Sequence, residues 1–419
     1  MRLLVVDVNF DYKNPMYRQF YNHLAYCIDV DFYGPGYVSR ELLERGIQCF
    51  IENRDGYDAV LVGTYFWYAA VQGLRYDTYS LHRNLIPYYN INDAWQCCRS
   101  IGAELLRLNN IIKIFAFYED SVMMSEAEYK ECKKLLAHDF FILSYPHEYM
   151  GRYSGRKMRQ YSYLTNNAPR LAEEYRERYI PIPWHGISYE ELFFRNYKDR
   201  EYDWCIPGNR NPVYYPERTA AYQRLKNSGV KMWEKDSYQK LSVGTVEWQH
   251  LGWYQFRNLS EKALSALIGK DRYISSYPKL EVIAACREQY RESMRRCKAV
   301  YAEGGTGDCF VRKYFETCAM GAMLVAKRVP GMDEMGFRNG KNCIIIEKYE
   351  DLKWVNNRYR DEDENAAIAK AGQKLILDKH MFVQRANALA ETIMAIKAKH
   401  YNGAVWRDGN YMIQREKAI

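Results

Sequence analysis

The sequence predicts an α/β protein built from two doubly wound parallel sheets in series. Three observations carry this reading. The chain has 419 residues, too many for one ordinary core. Short, continuous apolar runs alternate with stretches of helical spacing. The same strand and helix grammar restarts near residue 200, after a proline-containing linker.

Residues 3–8 are an apolar run that breaks into the polar stretch 9–15, residues 17–27 have helical spacing, and 28–33 read as a second strand. Gly34-Pro35-Gly36 turns the chain into a helix through Leu42 and Leu43. Residues 58–63 (DAVLVG), 111–118 (IIKIFAFY) and 139–143 (DFFIL) are further strands of the kind covered on both faces. Residues 179–186 (YIPIPWHG) carry two prolines and no helical period, so the first domain is expected to span 1–186. Trp204-Cys205-Ile206 then opens the second series and ends in Pro207-Gly208-Asn209. A helix over 216–226 and a strand over 230–233 follow. Residues 236–278 form an insertion without a legible pattern. After it come a basic-faced helix (280–298), a strand (299–302), a glycine loop, a helix (308–320), strands at 322–326 and 343–346, and helices at 365–377 and 380–399. The second domain is thus expected over 187–395, with 396–419 as a tail that packs back on the first domain.

Hydrophobic residues make up 48% of the chain, enough for globular cores. No run resembles a membrane span or a signal peptide, since Asp7 interrupts the first apolar stretch; cytoplasmic residence is the expectation. Eleven scattered cysteines without a Cys-x-x-Cys pair point to neither a disulfide framework nor a zinc site. The formal net charge of +8 falls in the C-terminal half, because the first 190 residues are close to balanced. A phosphate-bearing ligand or a nucleic-acid surface would each account for it. Thirty-nine tyrosines and nine tryptophans supply rings suited to stacking on sugars or bases, although most serve packing.

The chemistry concentrates in residues 304–321, GGTGDCFVRKYFETCAMG. A glycine loop entering a helix offers backbone N–H groups and the positive end of the helix dipole, a site for a diphosphate at Gly305, Thr306 and Gly307. Asp308, Arg312 and Glu316 recur every four residues and would form one polar stripe on that helix. The bland alternative is a helix N-cap followed by an i,i+4 ion pair, worth roughly a few tenths of a kcal/mol.

This stretch resembles the donor-binding helix of GT-B glycosyltransferases of the group 1 and spore-maturation-type branch. There an acidic residue is followed, after seven others, by a glutamate, small residues, a glycine and an apolar strand. Here the acids are Asp308 and Glu316, followed by Thr317-Cys318-Ala319-Met320-Gly321-Ala322-Met323-Leu324-Val325. The resemblance implies two Rossmann-like domains facing across a cleft. It also implies a nucleotide diphosphate sugar as donor, no tightly bound cofactor, and transfer to an acceptor hydroxyl on a glycan, protein or small molecule. Glu316 would hydrogen-bond the donor ribose. Asp308, one methylene shorter than the usual glutamate, would contact the transferred sugar, and Arg312 or Lys313, just before Phe315-Glu316, would face the diphosphate. The loop Gly208-Asn209-Arg210 would reach the phosphates from the other side of the cleft, while Arg218 in the next helix reads as structural. The resemblance covers about 200–395 and includes Tyr349-Glu350-Asp351-Leu352; Pro183-Trp184-His185-Gly186-Ile187 resembles the interdomain crossover.

A base for the acceptor proton is expected at the carboxyl ends of first-domain strands. Asp120 fits best, followed by Asp11 and Glu119, and His185 in the crossover would face the cleft. The basic, aromatic stretch 151–163 (GRYSGRKMRQYSY) brings Arg152, Arg156, Lys157 and Arg159 to the acceptor. It would suit an anionic acceptor, DNA included. A DNA glycosyltransferase acting on modified bases is therefore a narrower alternative, and a non-catalytic nucleotide-sugar-binding protein of the same fold is another. Asp29-Val30-Asp31 matches the metal-binding Asp-x-Asp of the other large glycosyltransferase fold but lies within the second strand, so no metal site is assigned.

Overall fold

The computed structural model describes residues 1–9, 16–72, 91–117, 123–146, 149–208, 210, 215–234, 280–305, 307–358 and 361–414. The insertion expected at 236–278 lies outside them.

The apolar runs of the first half form β1 (Arg2–Val6), β2 (Asp29–Tyr33), β3 (Ala59–Gly63), β4 (Ile112–Ala116), β5 (Phe140–Ser144) and β6 (Tyr179–Pro181). They pair in the order β2-β1-β3-β4-β5-β6, and every pairing is parallel. Such a sheet is covered on both faces, which is why its strands read as unbroken apolar runs rather than alternating ones. Successive residues divide between two cores. Leu4, Val6, Val60, Val62 and Phe115 lie on one side, and Leu3, Val5, Leu61 and Ile114 on the other.

The second half forms β7 (Tyr202–Cys205), β8 (Cys297–Ala302), β9 (Met323–Lys327) and β10 (Ile344–Ile346), a parallel sheet in the order β10-β9-β8-β7. The strand expected at 230–233 is reduced to a single bridge, Trp204 to Met232, which lies on the outer side of β7. The chain thus has the two-lobed architecture expected from its sequence. Among the described residues no helix is long and apolar enough to cross a membrane.

The closing helix, Phe382–Lys397, packs not on the second sheet but on the first, in one core with Phe20, Leu24, Trp184, Leu389 and Ile393. Helical periodicity shows which face is apolar, not which surface will cover it. Behind it, β11 (Ala404–Arg407) and β12 (Asn410–Ile413) form an antiparallel hairpin against β6, where Trp406 Nε1 donates to the Pro181 carbonyl at 2.6 Å. The two passages between the lobes run side by side. Ile187 N donates to the His380 carbonyl at 3.1 Å, and Phe382 N to the Ile187 carbonyl at 2.8 Å. Gly186 is required there, because a Cβ would meet the Phe382 ring at 2.6 Å.

Candidate functional site

In a doubly wound sheet, ligands bind beyond the carboxyl ends of the strands where the strand order reverses. In the second sheet that place lies between β7 and β8, with Met232 on one side of β7 and β8 on the other. At the end of β7, Gly208 has φ +104°, and a Cβ there would meet Arg218 Nη1 at 2.9 Å and Lys313 Nζ at 3.2 Å. Glycine therefore does two things here. It accepts the positive φ, and it lets two cations approach the backbone.

Arg218 comes from the helix Pro216–Asn227, whose proline stands in the first turn. Side chains lean toward the helix N-terminus, so Arg218 is aimed back at the end of β7. Its Nε pairs with Glu303 Oε1 at 2.7 Å, and its guanidinium lies 4.0 Å from the Tyr215 ring centroid. Lys313 opens the helix Lys313–Ala319 and donates to the Pro207 carbonyl at 2.8 Å. Burial, and secondly the neighbouring Arg218, push the Lys313 ammonium down to about 7, while Glu303 and Glu316 pull against that shift. Burial likewise raises the Glu303 carboxyl, opposed mainly by Arg218 and Lys313. Glu303 Oε2 is buried without a hydrogen-bond partner among the described residues. Two cations facing one buried carboxylate form a crevice suited to an incoming anion.

One turn along the same helix, Glu316 accepts from the Tyr290 hydroxyl at 2.7 Å, and its other oxygen lies 3.6 Å from Arg312 Nη1. The expected stripe of Asp308, Arg312 and Glu316 does not form, because the helix begins at Lys313 rather than at 308. Asp308 has φ +53°, and the loop closes on itself. Gly305 N donates to Cys309 O at 3.1 Å, Gly307 N to Gly305 O at 2.6 Å, and Asp308 N to Gly305 O at 2.9 Å. These N–H groups are thus engaged within the loop. Gly307 packs against Leu164 of the first lobe, where a Cβ would come within 2.7 Å. The Asp308 carboxylate bonds Lys157 of the first lobe and, at 3.0 Å, Lys327. Burial would raise its pKa, but the bonds to Lys157 and Lys327 outweigh burial and hold it below the usual value.

Arg312 turns away from the crevice. It is buried, with two short contacts to Glu191 at 2.6 and 2.7 Å. Arg210 stacks on Tyr222, 3.7 Å from the ring centroid. Asp11, Glu119, Asp120, Asn209 and Thr306 lie outside the described residues.

Toward the first lobe, Arg152 is ion-paired with Glu173, Arg159 Nε donates to Gly155 O at 3.2 Å, and Arg156 is exposed. His185 is buried beside Tyr149, with the rings stacked at 5.9 Å. Burial first, then the charges of Arg312 and Arg385, lower it to about 3, so it is neutral at physiological pH. Asp29 and Asp31 are tied to Arg2 at 3.0 and 2.9 Å rather than presented to a metal ion.

Sequence reasoning missed Glu303 and set Arg218 aside as structural. The available signals were the acid directly after β8 and the arginine in the first turn after Pro216. It also passed over Asp7, at the carboxyl end of β1. Asp7 accepts from Tyr21 Oη at 2.8 Å and from Val8 N at 2.8 Å. Burial raises its carboxyl to about 6 against those bonds. The folded state therefore holds the proton more tightly than the unfolded chain. This contribution to stability is fully present below about pH 4 and is lost as pH rises through 6. Relative to Asp7→Asn, the wild type should lose about 2 kcal/mol between pH 4 and pH 7, measured by denaturant unfolding at both pH values.

Residues 256–391 match the family described as Glycosyl transferase-like. No curated protein matches the chain. Among solved structures, a sucrose-phosphate synthase from Thermosynechococcus elongatus superposes with a TM-score of 0.50 at 11% identity, covering 95% of this chain and 99% of its own. Anabaena HepE in complex with UDP and glucose superposes with a TM-score of 0.45 at 10% identity, over 94% and 100% of the two chains. A glycosyltransferase from Rickettsia africae gives 0.42 at 10%, over 94% and 98%.

Proposed function

Because the chain has the two-lobed GT-B fold and its residues 256–391 match a glycosyl transferase-like family, we propose that it transfers a sugar from a nucleoside diphosphate sugar to an acceptor hydroxyl. The diphosphate would lie in the crevice between the ends of β7 and β8. The observation that carries this reading is the convergence of Lys313 and Arg218 on the backbone of Gly208, with Glu303 behind them.

In transfer, the bond from the anomeric carbon to the diphosphate breaks and the diphosphate leaves with the electron pair. The acceptor oxygen forms the new bond and gives up its proton. Lys313 and Arg218 are placed to stabilise the charge that grows on the leaving group, an interaction that strengthens toward the transition state. Glu316, steadied by Tyr290, would accept the ribose hydroxyls, and Asp308 would face the sugar. The proton would pass to a carboxylate in the segments after β1 or β4, with Asp120, Asp11 and Glu119 as candidates.

In this reading the acceptor lobe is 1–186 together with the closing helix and hairpin, and the donor lobe is the remainder of 187–395. Arg152 and Lys157 are already ion-paired. Arg156 and Arg159 are exposed.

The test is thermal unfolding in the presence of a panel of nucleoside diphosphates and their sugars. A ligand at a hundred times its Kd should stabilise the native state by about 2.7 kcal/mol. If no nucleoside diphosphate moves the midpoint, the proposal is wrong.

A further inference from the structure

Arg312 was expected at the diphosphate, yet the fold gives its guanidinium other work. Nε donates to the Gly186 carbonyl at 3.2 Å, and Nη2 reaches Gln19 Oε1 at 3.1 Å as well as both oxygens of Glu191. Nη1 lies 3.6 Å from Glu316 Oε1. Gln19 belongs to the first-lobe helix Met16–Cys27, Gly186 and Glu191 to the passage between the lobes, and Glu316 to the donor-lobe helix. One planar cation therefore touches the first lobe, the passage and the acid assigned to the ribose.

We propose that Arg312 is a positioning residue: it holds the Glu316 carboxylate in the orientation that accepts the donor ribose and ties that orientation to the placement of the first lobe. The proposal rests on the donor-site reading above.

A guanidinium has five donors in a rigid plane, so fixing its Nε and Nη2 edge on Gly186, Gln19 and Glu191 fixes where Nη1 points. Glu316 thereby has a partner at each oxygen: the Arg312 charge at 3.6 Å, an ion pair rather than a hydrogen bond, and the Tyr290 hydroxyl at 2.7 Å. A carboxylate so held still has lone pairs for two ribose hydroxyls. Lysine would keep the charge near Glu191 but could not span these partners at once. A shift of the helix Met16–Cys27 relative to the donor lobe would pull on Gln19 and so on the Glu316 contact. The ribose contact is in this way sensitive to lobe placement.

The experiment compares UDP, ADP and GDP with their 2′,3′-dideoxy analogues by calorimetry, using the full-length wild type, Glu316→Gln, Arg312→Lys and Gln19→Leu. The wild type should prefer the ribonucleotide by about 10- to 100-fold, the range for hydrogen bonds to a charged group. Glu316→Gln should remove most of that preference. Arg312→Lys should reduce it about fivefold or more while leaving dideoxy affinity within about twofold, and Gln19→Leu should reduce it about two- to threefold. A purely structural arginine would lower stability without changing the ribose preference. Should Arg312→Lys fail to fold, Gln19→Leu still decides, because that side chain is only partly buried. Full preference in the arginine and glutamine variants, with loss in Glu316→Gln, overturns the positioning role alone. Full preference in Glu316→Gln overturns the ribose assignment, and the positioning role with it.

Discussion

Arg312→Ala should destabilise the protein by about 3–5 kcal/mol, the cost of leaving a buried charge without its partner. The Glu191 side chain is only 3% exposed, and Arg312 is its close bidentate partner; Arg291 stands at 3.5 Å. Alanine also removes the donor to the Gly186 carbonyl. Burial would raise the Glu191 carboxyl, but Arg312, the bond from Ser188 N and Arg291 together keep it below its ordinary value. The sign follows from that lowering. The stabilisation is present above the unfolded carboxyl's pKa and is lost as pH falls through the lower, folded one. Denaturant unfolding of wild type and variant should therefore show a wide gap at pH 7 that narrows on acidification below about pH 4. A difference under about 1 kcal/mol at pH 7 would mean the pair behaves as an exposed one.

The second large effect is on binding. With the Lys313 ammonium near 7, a substantial part of it is neutral at physiological pH in the unliganded protein. A diphosphate needs the charged form, so binding takes up a proton. Affinity for a nucleoside diphosphate sugar, whose phosphates do not titrate here, should fall above pH 7 with a slope approaching about tenfold per unit. Lys313→Met should weaken binding at pH 6 by about 10- to 100-fold and flatten this profile. Lys313→Arg should flatten it while keeping the charge. Folding responds with the opposite sign. The unfolded chain binds more protons between pH 7 and the ordinary lysine pKa, so the Lys313 contribution to stability rises with pH in that window. Isothermal calorimetry on one side and denaturant unfolding on the other separate the two.

Much of the architecture could be read from the residues because parallel strands covered on both faces leave unbroken apolar runs. DAVLVG became β3, IIKIFAFY contained β4, and the restart at Trp204-Cys205 became β7. What could not be read were pairings set by tertiary contact. The helix Phe382–Lys397 has an apolar face, but only the fold shows that Trp184 and Phe20 cover it. The start of the helix Lys313–Ala319 was misplaced because Asp308 takes a left-handed conformation and the glycine loop satisfies its own N–H groups, which periodicity cannot reveal. Arg312 was legible as a cation at a four-residue interval from Glu316. Its partner Glu191, far away in sequence, was not.

The most direct measurement is a crystal structure with a nucleoside diphosphate bound. Phosphate oxygens should lie at roughly 3 Å from Lys313 Nζ and from the Arg218 guanidinium, above Gly208, with the ribose on Glu316. Phosphates seated instead on the 304–308 loop, with Lys313 still bonded to the Pro207 carbonyl, would contradict this placement.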